Sequence, residues 1–332
     1  MKRSLNYILC LVVLVAVSCN NSNKVKVGYL IPNEKSERYL KEREYFKQKI
    51  ASMGGEALVA SADYDDQKQI EQAHEMITQG AKVLVVNAVN MNTAAKIVRD
   101  AHENNVQVIA YDRLIQNSDL DYYVSFDNVK VGKLMAEYVT KIRPEGNYVL
   151  IGGDKADRNA VLVKQGQMEV LSGLVKAGKI KIDYNVYVED WSGENAYQEM
   201  KRYLNLSNQN PVAVVSSYDG MTTGCIKALE EANLAGIVAI TGQDAELEAC
   251  RNIINDRQSM TVYKPLKLLA EKSAEIAYKM SIGEKIDISA NTVNNGQKDV
   301  PAILLEPLIV DKNNMKSVIV SDGFYSENQL FN

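Results

Sequence analysis

Along most of this chain, apolar runs of strand length alternate with stretches whose apolar positions repeat at helical spacing. Residues 25–31 read as a strand. Residues 36–53 read as a helix, because Tyr39, Leu40, Arg43, Tyr45, Phe46, Ile50 and Met53 fall mostly on one side before Gly54-Gly55 stops it. Strands follow at 56–61, 82–86, 106–111 and 122–126, with helices over 66–79 and 92–104 between them. The alternation then begins again. Strands are expected at 147–151, 181–188, 212–216 and 237–241, and helices over 161–177, 195–204 and 222–232, with a Glu- and Ile-rich helix ending near 256. Repeated β-α units with short loops demand parallel strands whose sheet is covered on both faces. The pattern therefore predicts an α/β fold of two doubly wound parallel-sheet lobes. From Met260 onward the chain is too short for a third lobe. A helix over 267–280 and short strands at 303–310 and 318–319 are expected to be shared, so that parallel crossing strands form a hinge.

In open parallel sheets ligands sit beyond the carboxyl ends of the strands. Two facing lobes would place both sets of ends on one cleft. In the first half those ends carry Arg38, Asn90, Asp112 and Arg113. In the second they carry Asp157, Asn159, Asp190, Trp191, Asp219 and Asp244, and Lys264 stands at an expected crossing. Such a set suits a sugar. Each hydroxyl both donates and accepts, so Arg, Lys and Asn supply donors and Asp accepts. The apolar face of a pyranose packs on a flat ring: Trp191 is the single tryptophan, and Tyr39 is the candidate for the opposite face. Taken singly, each residue has a plainer role, since Asp or Asn after a strand is commonly a helix N-cap. The set gains weight because both halves contribute to it.

The 332 residues are 46% hydrophobic and 24% charged with a net charge of −4, which favours packed cores and leaves no basic face for nucleic acid. The start is set apart. Lys2 and Arg3 precede an apolar run over 8–17, too short to span a bilayer as a mature helix, and it closes at Ala16-Val17-Ser18-Cys19. This resembles a bacterial lipoprotein signal in which Cys19 becomes the lipidated first residue, with 20–24 as a polar tether; an ordinary signal peptide with Cys19 incidental is the alternative. Either reading places the mature chain in the periplasm or cell envelope. Cys225 and Cys250 read as small buried hydrophobes, with a disulfide left open.

Several longer stretches resemble the xylose-binding proteins of the bacterial ABC sugar importers. They are Glu37-Arg38, Ala110-Tyr111-Asp112-Arg113, Ser125-Phe126-Asp127-Asn128, Gly146-Asn147-Tyr148 with Gly152-Gly153, Gly242-Gln243-Asp244-Ala245, the run from Met260 to Pro265, and Asn294-Asn295-Gly296 through Pro301. The resemblance covers about residues 26–328. It implies a type I periplasmic-binding-protein fold with a three-strand hinge, and sugar contacts from Arg38, Arg113, Asp157, Asn159, Asp244 and Lys264 with Trp191 stacking. Where that family has Trp after Glu-Arg, this chain has Tyr39; where it has Ser-Asn-Asp, this chain has Ser217-Tyr218-Asp219. The ligand set to test is thus Arg38, Tyr39, Asn90, Arg113, Asp157, Asn159, Trp191, Tyr218, Asp219, Asp244 and Lys264. The expected division is 1–24 for signal and tether, 25–127 plus 262–292 for the first lobe, and 128–261 plus 293–332 for the second.

The expected function is capture of a monosaccharide, D-xylose or a similar aldopyranose, by hinge closure, for delivery by a monomeric, lipid-anchored protein to an ABC permease. A subunit reporting the sugar to a membrane receptor or sensor kinase is the rival, and the pocket would be the same. Catalysis is not expected. The two histidines, His74 and His102, lie in helical patterns away from the strand ends. No nucleophile triad, phosphate loop, metal-spaced cluster or cofactor motif is evident. Asp112 and Asp127 could imitate a carboxylate pair, but an acceptor beside the hinge is the simpler reading.

Overall fold

The computed structural model describes residues 24–35, 37–286 and 291–331. The expected signal and its Cys19 lie outside the described residues. The first half runs β1 (Lys26–Ile31), α1 (Glu37–Ser52), β2 (Glu56–Ser61), α2 (Asp66–Thr78), β3 (Ala81–Val86), α3 (Ala95–Glu103), β4 (Gln107–Tyr111) and β5 (Tyr122–Phe126). The second runs α4 (Asn128–Ile142), β6 (Gly146–Gly152), α5 (Arg158–Lys176), β7 (Ile180–Tyr187), α6 (Gly193–Leu206), β8 (Ala213–Ser216), α7 (Asp219–Glu231), β9 (Ala239–Ile240) and α8 (Leu247–Ile254). The remainder is β10 (Thr261–Tyr263), α9 (Leu266–Ser281), β11 (Thr292–Asn294), β12 (Asp299–Leu305), β13 (Leu308–Val310) and α10 (Glu327–Phe331).

Two sheets result. The first has the order β11-β12-β5-β4-β3-β1-β2, parallel except for the β11–β12 pair, and the second the order β7-β6-β8-β9, all parallel. Both wind outward from their first strand, so the order reverses between β1 and β3 and between β6 and β8. Period-two alternation explains why both faces need helices. Tyr29, Val85 and Ile109 point into one core with α1 and α9, whereas Leu30, Leu84 and Val108 point into the other with α2 and α3. The second sheet does the same with Val149, Ile151 and Val214 against Tyr148, Leu150 and Val215. Each such fully buried side chain contributes roughly 1.5–3 kcal/mol relative to exposure.

Several expectations are corrected. Residues 292–305 do not join the second lobe: β12 pairs in parallel with β5, Ala302 opposite Tyr123 through Leu305 opposite Phe126, and buries Val300 and Ala302 in the first lobe's core. A lone strand carries no local mark of its partner; the open edge of β5 decides. The crossing strands β10 and β13 are antiparallel, not parallel, because one runs toward the first lobe and the other returns from it. Among the described residues the chain changes lobes three times, at 126–128, 263–266 and 305–308. Residues 318–319 lie in a helical turn over Lys316–Val320 instead of a strand, and Ile319 packs with Tyr263 and Phe324. Helix α4, which the sequence reading passed over, buries Val131, Met135 and Val139 against α5. Cys225 and Cys250 are free and buried, and burial pushes the Cys225 thiol up to about 12.

Candidate ligand-binding cleft

Helix starts position the cleft. Asp157 N-caps α5, its Oδ1 accepting from the Asn159 amide at 2.8 Å, so one carboxylate both starts the helix and lines the cleft. Ser192 caps α6 in the same way, accepting from the Asn195 amide at 3.2 Å, just after Trp191. Tight turns supply the rest. Tyr64, Asp112, Asp190, Trp191 and Asp244 all have left-handed backbone, with φ of 64°, 61°, 56°, 54° and 90°. Non-glycine residues rarely accept that geometry; Asn105, Asn117, Asn233 and Asp256 adopt it in other turns, but Tyr64 and Trp191 are the bulky side chains that do, and both line the cleft. Asp154 holds one of these turns by accepting from the Asp190 amide at 2.8 Å.

A cavity of about 450 Å³ lies between the lobes. From the first lobe it receives Arg38, Tyr39, Tyr64, Asp112 and Arg113, from the second Asp157, Asn159, Asp190, Trp191, Tyr218, Gln243 and Asp244, and from the crossing Lys264. A wider hollow of about 680 Å³ adjoins it and shares Arg113, Asp157 and Trp191. Nine of the eleven residues named from the sequence line the inner cavity. Asn90 does not. It lines the outer hollow, and its Oδ1 turns the chain into α3 by accepting from the Asn92 amide at 2.9 Å. Asp219 does not either. Fully buried, its carboxylate accepts from Gln258 Nε2 (2.9 Å), Thr261 Oγ1 (2.8 Å) and the Glu246 amide (3.0 Å), so it braces the cavity wall from behind.

The electrostatics interlock. Arg38 donates through Nε to Glu42 at 3.1 Å and through Nη2 to Asp112 at 3.0 Å, and its Nη1 lies 3.9 Å from Asp244 of the other lobe. Lys264 Nζ lies 2.7 Å from the other Asp244 oxygen. Burial works against the Arg38 charge, but Asp112, Glu42 and Asp244 outweigh it and raise its pKa well above the usual arginine value. Burial likewise opposes ionisation of Asp112, yet Arg38, Lys264 and Arg113 hold its carboxyl below the usual range. Asp157 goes the other way: burial raises its pKa despite the nearby Arg113. Arg113 itself donates to the Ala88 carbonyl at 3.3 Å, which leaves further donors of its fork for a ligand.

The aromatic groups are held as firmly. A methyl group on Gly153 would lie 2.2 Å from the Trp191 ring, so that glycine makes room for the indole. Tyr218 meets Trp191 edge-on, ring centres 6.1 Å apart at 89°. Tyr39 is buried beside Arg38 and Arg113, and burial pushes its phenol up to about 12. Tyr64, Gln243 and Glu42 escaped the sequence reading. Tyr64 follows β2 and the strand-end rule would have found it. Glu42 stands one helical turn after Arg38, a spacing that places the two side chains together.

The comparisons agree with this architecture. The model of the periplasmic binding protein domain matches residues 27–285. A D-xylose-binding periplasmic protein of Haemophilus influenzae is 44% identical over 314 residues, covering 95% of this chain and 94% of that one. The D-xylose-binding periplasmic protein of Escherichia coli is 41% identical over 322 residues, 97% of each chain. A carbohydrate transporter solute binding protein from Chloroflexus aurantiacus, solved in complex with D-glucose, has a TM-score of 0.85 at 26% identity and covers 93% of this chain and 99% of its own. With two doubly wound lobes facing one cleft, the chain belongs to the periplasmic binding protein family and has its type I fold.

Proposed function

We propose that this protein captures one aldopyranose, D-xylose or a close analogue, by closing its lobes around it, and does no chemistry on it. The observation that carries this reading is the cavity's composition. Both lobes supply charged hydrogen-bonding groups, and a fixed indole offers a flat face for the ring's C–H bonds. Enclosure strips water from the hydroxyls, so each requires a partner of the opposite kind, and mixed Arg, Lys, Asn and Asp groups meet that need. A dissociation constant on the order of micromolar corresponds to about −8 kcal/mol, the scale such a site can supply. The D-xylose named for two relatives above 40% identity supports the choice of sugar.

In this reading the protein is exported to the periplasm, anchored through Cys19 lipidation, and acts as a monomer that hands the sugar to an ABC permease. A thermal-shift screen over pentoses and hexoses tests the binding reading: D-xylose raises the melting temperature, and no response to any sugar refutes it. Deleting the protein tests the partner. Loss of sugar uptake supports a permease, whereas retained uptake with loss of a sugar-dependent signal supports a membrane sensor.

A further inference from the structure

A second hollow, of about 320 Å³, lies at the seam between the lobes, and Arg38, Tyr218 and Asp244 line both it and the inner cavity. These three residues are therefore the wall between two spaces. Arg38 and Asp244 form its polar part, 3.9 Å apart. The Tyr218 ring forms its apolar part and is fixed at three points. Its hydroxyl donates to the Glu246 carboxylate. Its ring meets the edge of Trp191. A methyl group on Gly220 would lie 2.6 Å from its Cε1, so that glycine lets the ring lie flat on the helix start. Beyond the wall, the second hollow has a mixed lining, with Leu247, Leu266 and Phe324 beside the charged Lys41, Glu246 and Glu248.

We propose that Tyr218 is a specificity-determining partition: it closes the sugar cavity at this end and confines the ligand to a bare pyranose ring, excluding rings that carry an exocyclic arm. This rests on the sugar-binding reading above. The tyrosine hydroxyl, engaged by Glu246, does not recognise the sugar. What it contributes is a rigid obstacle, and discrimination by shape in such a pocket is worth about 10- to 200-fold for one added group. Removing the ring would join the cavity to the seam hollow and give an arm somewhere to go.

The test is calorimetric titration of wild type, Tyr218→Ala and Tyr218→Phe with D-xylose, D-glucose and methyl β-D-xyloside. The two larger probes add a hydroxymethyl group on the ring and a methyl group on the anomeric oxygen, respectively. Wild type is expected to prefer D-xylose over both by at least about tenfold. Tyr218→Ala is expected to shrink that preference by about tenfold for whichever probe directs its arm at the wall. Tyr218→Phe, which keeps the ring, should hold the wild-type ratio within about threefold, well inside the effect assigned to the ring. A wild type that accepts both larger probes as well as D-xylose overturns the partition, as does an unchanged ratio for both in Tyr218→Ala, or a collapse of the ratio in Tyr218→Phe. Failure of wild type to bind D-xylose would instead count against the function proposed above. Tyr218→Phe keeps the question open to refutation if the alanine variant does not fold.

Discussion

Arg38 and Asp244 belong to different lobes, yet Arg38 Nη1 stands 3.9 Å from Asp244 Oδ2 while Lys264 on the crossing segment lies 2.7 Å from the other oxygen. One carboxylate thus joins the first lobe, the second lobe and the hinge. Asp244→Asn keeps the shape and removes the charge. It should weaken sugar binding by roughly tenfold or more, since a desolvated charge pair loses one partner. It should also reduce the compaction seen by small-angle X-ray scattering when sugar is added. Wild-type affinity together with wild-type compaction would show that this acid does not couple closure to binding.

Arg113 hydrogen-bonds to a backbone carbonyl on one side and faces the cavity with the rest of its fork. Arg113→Ala should leave the fold intact and weaken binding by roughly 2–4 kcal/mol, the cost of losing a charged hydrogen bond in a water-poor site. Calorimetry decides it: unchanged affinity removes Arg113 from the site.

Trp191 is the single tryptophan, so its fluorescence reports on the cleft alone. Sugar binding should shift its emission. Trp191→Ala should weaken binding by about 1–3 kcal/mol through lost contact area. Gly153→Ala should do so too, because the added methyl would sit 2.2 Å from the indole and force it aside. An emission indifferent to every sugar would sink the stacking role.

Asp219 accepts three hydrogen bonds behind the cavity wall and lines no part of it. Asp219→Ala should therefore lower unfolding stability in urea by roughly 2–5 kcal/mol, as it leaves buried donors without a partner. A variant of unchanged stability that had lost binding would return Asp219 to the ligand set.

Glu42 is fully buried, and burial pushes its carboxyl from the ordinary 4.5 up to about 7 despite the opposing Arg38 charge. The groups around it are Arg38 on its own helix, Tyr29 on β1, and Tyr111 and Asp112 at the end of β4. The folded state therefore holds this proton more tightly than the unfolded state. The Glu42 contribution to stability is fully present below about pH 4.5 and is lost as pH rises to about 7, an amount on the order of 3 kcal/mol. Glu42→Gln should flatten that part of the stability curve measured by urea unfolding. A slope equal to wild type would assign the titration elsewhere.

Much of the molecule was legible from local pattern. Alternation of strand-length runs and helical periodicity follows from side-chain geometry along one segment, so it revealed both lobes and the strand ends facing the cleft. Strand ends then led to Arg38, Arg113, Asp157, Asn159, Trp191 and Asp244, all of which line the cavity. The same rule overreached at Asn90 and Asp219, since one Asx residue after a strand can turn the backbone, brace a wall or meet a ligand, and only its neighbours distinguish these.

What the sequence determined by itself was the fold class and the chemical character of the cleft, because both depend on residue types at fixed short spacings. The tertiary structure alone decided the remainder. It set β12 on the open edge of β5, made the crossing strands antiparallel, brought Asp112 to Arg38, and stood Tyr218 between two hollows. Each of these depends on contacts between segments far apart in the chain, where hydrogen-bond partners and available space, not periodicity, select the outcome.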